Sequence, residues 1–81
     1  MSESSEYRMT LNNLAQSQHW HINYLASSSG PLHTPKWKAV AYINQIAIAS
    51  GTGRSKAAAM EKAALLAYEH INPSAASRQR R

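Results

Sequence analysis

The chain has 81 residues and a formal net charge of +5, from nine Lys and Arg against four Asp and Glu. It is long enough for one small domain, has no cysteine for a disulfide, and has no apolar run near the ~20 residues of a membrane-spanning helix. Its N-terminus lacks the basic-then-apolar order of a secretory signal, so the chain reads as soluble and intracellular (cytoplasmic or nuclear), with a charge that favours polyanionic partners.

Residues 1–6, MSESSE, are polar and aperiodic and are expected to form a disordered tail. A short amphipathic helix begins at Thr10, whose hydroxyl is a suitable cap. Leu11, Leu14 and Ala15 follow the i, i+3, i+4 spacing of one buried face. Asn12, Asn13 and Gln16 are out of phase with that face and belong on the open side. Trp20 is expected to close the helix against the core. From His21 to Ala26 the pattern is β-like, and Ser27-Ser28-Ser29-Gly30-Pro31 reads as a turn or loop by composition.

A second extended run, Trp37 to Ile43, alternates two faces. Trp37, Ala39, Ala41 and Ile43 form one, and Lys38, Val40 and Tyr42 the other; Lys38 puts the second face outside. Asn44-Gln45 is a weak hairpin signal leading into a third strand, Ile46 to Ser50. Gly51-Thr52-Gly53 is expected to break the sheet. Ser55 then caps a long helix, Lys56 to Ile71, whose Ala59, Ala63, Ala64, Ala67 and Ile71 make one small-residue stripe able to lie close on a sheet. Pro73 cannot continue it, and residues 72–81, NPSAASRQRR, read as a disordered basic tail holding Arg78, Arg80 and Arg81. The expected fold is α+β: helix, three-stranded antiparallel meander, helix, with both helices on one face of the sheet and the domain spanning residues 7–71.

Catalysis finds little support. His19 and His21 are poorly spaced to converge on one ion, and no Cys or nearby carboxylate completes a metal set. Glu3 and Glu6 fall in the N-terminal tail, and Glu61 and Glu69 are expected on an outer helix face, so no buried carboxylate orients a histidine base. Gly51-x-Gly53 lacks both a third glycine and a following Gly-Lys-Ser/Thr, which excludes a nucleotide loop. The expectation is a non-enzyme with no metal and no cofactor.

Three stretches resemble the double-stranded-RNA-binding domain family. Gly30-Pro31-Leu32-His33-Thr34-Pro35-Lys36-Trp37 resembles its GPxHxPxF loop and strand start, with Trp37 in place of Phe. Gly51-Thr52-Gly53-Arg54-Ser55-Lys56 resembles its GxGxSK entry to the second helix, and Ala59, Ala63, Ala64 and Ile71 match its alanine-rich end. The resemblance covers residues 9–71 and implies binding to A-form duplex RNA by shape, over ~16 base pairs, through two minor grooves and the phosphates between.

Residue by residue it implies minor-groove contacts from Asn12, Asn13 and Gln16 on the first helix, with Asn13 where the family often has Glu. It implies further minor-groove contacts from Gly30, Pro31, His33 and Lys36, and phosphate contacts from Arg54, Ser55 and Lys56. The family's SKKxAK frame here reads Ser55-Lys56-Ala57-Ala58-Ala59-Met60, so Ala57 and Met60 replace two lysines. Lys62 lies roughly 240° round the helix from Lys56 and cannot replace the lysine lost at Met60. Weak binding is the expectation. The rival reading is a drifted relative serving protein interaction or homodimerisation, through an apolar stripe of Val40 and Tyr42 beside an edge strand.

Overall fold

The computed structural model describes residues 5–72. Of the expected tails, only Ser5, Glu6 and Asn72 fall within the described residues. Helix α1 spans Glu6–Gln18 and so begins four residues before Thr10, which sits beyond its first turn. Glu6 is helical, not part of a tail. The earlier start has a cause outside the helix. Ser5, at the N-cap, makes no side-chain capping bond. Instead the Glu61 carboxylate accepts the backbone N–H of Tyr7 at 2.6 Å and of Arg8 at 3.3 Å, satisfying two of the donors that a helix start leaves open. Arg8 Nε also donates to it at 3.2 Å. Glu61, expected on an outer face, therefore lies against α1 with its side chain only 14% exposed.

The other end of α1 closes by a Schellman arrangement. His19 takes the left-handed conformation (φ 63°), its N–H donates to Gln16 O, and Trp20 N–H donates to Ala15 O at 2.8 Å. Strand β1, Ile22–Ser29, runs three residues further than its composition suggests. Ser27, Ser28 and Ser29 are strand, held by pairing with Lys38, Trp37 and Lys36 of β2, which spans Lys36–Ile43. The turn begins at Gly30, whose φ of +90° needs a residue without Cβ.

Asn44 and Gln45 both have positive φ (52° and 70°), as a two-residue type I′ hairpin requires. Asn44 also ties the hairpin to the start of β1: its Oδ1 accepts from His21 N–H at 2.9 Å, and its own N–H donates to His21 O at 2.7 Å.

Strand β3 spans Ile46–Gly53, so Gly51, Thr52 and Gly53 do not break the sheet; they pair with Ala39, Lys38 and Trp37. The sheet is antiparallel in the order β1-β2-β3, with one register shift that leaves Ile48 as the extra residue opposite Ala41 and Tyr42. Helix α2 spans Lys56–Ile71, with Ser55 Oγ accepting from Ala58 N–H at 3.1 Å as its cap.

The core explains why α2 is so alanine-rich. Leu11, Ala39, Ala41, Ala59, Ala63, Ala64 and Ala67 are fully buried, and Leu11 is the one large side chain among them. Trp37 and Ile71 pack around this cluster from its rim. At Gly51 and Gly53 of β3 the helix leaves no room for a side chain. A Cβ on Gly51 would stand 2.5 Å from Ala63 N, and one on Gly53 2.8 Å from Ala59 N. Glycine at these two positions lets backbone meet backbone.

Candidate nucleic-acid interface

The residues expected to contact RNA lie on three elements. On α1, burial of Leu11 and Ala15 turns Asn12, Asn13 and Gln16 outward, and all three are exposed. Amide side chains there present both donors and acceptors to a ligand. Met9 lies on the same open side and is 61% exposed, a residue that the apolar spacing did not single out. With Ser5, Arg8, Asn12, Ile22 and Tyr24 it lines an open groove between α1 and β1. Burial holds the Tyr24 phenol above its usual value; Arg8 opposes this and Glu61 adds to it.

The β1–β2 loop carries Gly30, Pro31 and His33, with Lys36 at its far end, all exposed. A turn closed by Thr34 N–H donating to Pro31 O at 3.2 Å shapes its tip, and Leu32 there is 96% exposed. The β3–α2 junction carries Arg54 and Lys56, both exposed, and Ser55, half-buried with its hydroxyl oxygen engaged as the helix cap. The first turn of α2 leaves the N–H groups of Lys56 and Ala57 without intrahelical acceptors, adding partial positive charge at the same spot.

These last two regions are one place in space. His33, Thr34 and Pro35 of one loop and Arg54 of the other line a common cleft of about 390 Å³. The α1 residues do not share it. Of the positions where the family has lysine, Ala57 is half-buried, and Met60 is half-buried and packed against the core.

Family comparison decides what this arrangement belongs to. The model of the double-stranded RNA binding motif matches residues 7–71. The chain belongs to that family. Among solved structures, this dsRBD is similar to the solution structure of the second dsRBD of DRB4. Identity is 27% and the TM-score 0.62, over 80% of this chain and 93% of that one. It is also similar to the solution structure of both DRB4 dsRBDs with their linker, at 25% identity and a TM-score of 0.68. There the match covers 90% of this chain and spans half of the two-domain one. No curated protein sequence matches it.

The expected outer face of the sheet is also in view. Val40 and Tyr42 lie opposite the helices and are half-buried. They stand on β2, the central strand, with both of its edges paired, so the stripe offers a face and not a free edge. Leu25 of β1 sits directly across from Val40 and is 61% exposed. Period-two alternation from Tyr24 through Ala26 carries the signal for it, since its two neighbours face the core.

Proposed function

We propose that this dsRBD is a non-catalytic module that binds A-form double-stranded RNA by shape, through 2′-hydroxyl and phosphate contacts with little sequence readout. The observation that carries the reading is the meeting of the His33 loop and the Arg54–Lys56 junction at one end of the sheet, while the amides of α1 form a separate region. Two regions held by one rigid sheet, plus a third on a docked helix, suit a ligand of fixed pitch. Asn12, Asn13 and Gln16 meet 2′-hydroxyls in one minor groove. His33, at the end of the Gly30-Pro31 backbone, meets them in the next, with Lys36 at the rim. Arg54, Lys56 and the α2 N-terminus take phosphates; Ser55 fixes their position by capping the helix.

With Arg54 and Lys56 as its principal cations, the domain neutralises roughly two phosphates, so log affinity should fall with log salt at a slope near ~2. Anisotropy with a ~20-base-pair RNA duplex, the matching DNA duplex and single-stranded RNA, each across a salt series, tests the proposal. Preference for duplex RNA with a shallow slope is expected. Lys56→Ala should weaken all duplex sequences alike, and equal affinity of that variant and wild type would remove the phosphate assignment.

A second reading, protein interaction or homodimerisation through the outer face, is favoured by exposed Leu25 extending the Val40 and Tyr42 stripe across two strands. Sedimentation of the free protein tests it: self-association lost in Leu25→Ser supports a dimer face, and a concentration-independent monomer refutes that.

A further inference from the structure

We infer that the cleft between the β1–β2 loop and the β3–α2 junction is a single phosphate site shared by His33 and Arg54, and that His33 contacts both the phosphate and its neighbouring ribose. The inference rests on the duplex-RNA reading above and deepens it. Family resemblance gives the two residues to different contact sets, a minor groove and a run of phosphates, yet they line the same cleft. A guanidinium brings fixed charge and several planar donors, which suit a phosphodiester's two free oxygens. Thr34 also lines the cleft and brings a hydroxyl, and Pro35 brings a rigid apolar surface. Among the described residues no acidic side chain lines the cleft to compete with an anion for Arg54.

A neutral imidazole has one N–H donor and one bare nitrogen. The donor facing the cleft serves a phosphate oxygen, and the bare nitrogen accepts the hydroxyl proton of a ribose. One side chain then reads the backbone's charge and its sugar together. Arg54 strengthens the His33 contact by holding the phosphate in place. Each residue therefore depends on the other, which separate contact sets would not require.

The test is a double-mutant cycle with His33→Ala, Arg54→Ala and the double variant, measured on a duplex RNA with hydroxyl ends and on the same duplex with 5′-phosphates. Both positions are exposed, and thermal melts confirm that the variants remain folded. Arg54→Ala should weaken binding about tenfold. The cost of His33→Ala should be roughly threefold or more smaller in the Arg54→Ala background than in wild type. Conservative His33→Gln, which keeps a donor and an acceptor, should restore most of the loss.

Coupling with hydroxyl-ended RNA is the expected result. Coupling seen only with 5′-phosphates would assign the cleft to a terminal phosphate and overturn its place on the backbone. Equal cost of His33→Ala in both backgrounds would overturn the shared site while leaving the duplex reading intact. Failure of wild type to bind either duplex would remove the duplex reading itself.

Discussion

Replacing Glu61 with Ala removes the acceptor that holds the start of α1 onto α2. The strongest bond lost is the 2.6 Å contact from Tyr7 N–H; the 3.3 Å contact from Arg8 N–H is weaker. A hydrogen bond to a charged group contributes about 1.5–3 kcal/mol, and an anion at a helix N-terminus adds about 0.3–1. The Arg8 ion pair, with side chains 25% and 14% exposed, adds little more because water screens it. Water also reaches the freed N–H groups and returns part of the loss. The expected cost of Glu61→Ala is thus about 2–3 kcal/mol, a large share of the ~3–10 kcal/mol available to a domain of this size.

Urea unfolding followed by circular dichroism should show the midpoint falling at constant m, and the melting temperature should drop by ~10–20 °C. Arg8→Ala keeps both backbone bonds and should cost only ~0.5–1 kcal/mol. If Glu61→Ala lies within about 0.5 kcal/mol of wild type, or Arg8→Ala costs as much, the capping argument fails. Because α1 carries Asn12, Asn13 and Gln16, the same variant should lose RNA affinity on warming well before wild type does.

Gln45→Gly relieves the left-handed strain at the second turn position (φ 70°), and a net gain of about 0.5–1 kcal/mol in urea unfolding is expected. Gly51→Ala should cost about 2–3 kcal/mol in the same assay, because the new methyl meets Ala63 N at 2.5 Å. Ala57→Lys should tighten duplex binding and steepen the salt slope by about one unit; Met60→Lys should also lose ~1 kcal/mol of stability, since that side chain packs on the core. For Tyr24 the folded state holds the phenol proton above the ordinary value of 10.0, so its contribution is present below pH 10 and lost as pH rises beyond it. Tyr24→Phe should flatten that alkaline decline in a pH series of melts.

Parts of the fold were legible because local periodicity and core contact coincide. Ala39, Ala41 and Ile43 alternate along β2, Ala59, Ala63, Ala64 and Ala67 recur along α2, and all seven are buried. The start of α1 was illegible because its cap, Glu61, lies 53 and 54 residues from the groups that it binds. The end of β1 was illegible for a related reason. Three serines have poor strand propensity, and only the partner strand, Lys36–Lys38, makes them extended. At the candidate site, exposure of the amides on α1 follows from helical phase. The shared cleft of His33 and Arg54 does not, because it depends on two loops meeting through the whole sheet.

Gly51-x-Gly53 joins the two levels. By composition the pair reads as a breaker, yet both glycines are in β3 and both face the backbone of α2. Their missing Cβ atoms set the distance between sheet and helix, and that distance fixes where α2 begins. Arg54 and Lys56 immediately follow, so the glycines also set how far the cationic junction stands from the His33 loop. Widening the gap by one methyl should therefore move Arg54 away from His33 as well as strain the core. For that reason the two glycines should act as a spacer for the proposed phosphate site, through the distance between sheet and helix.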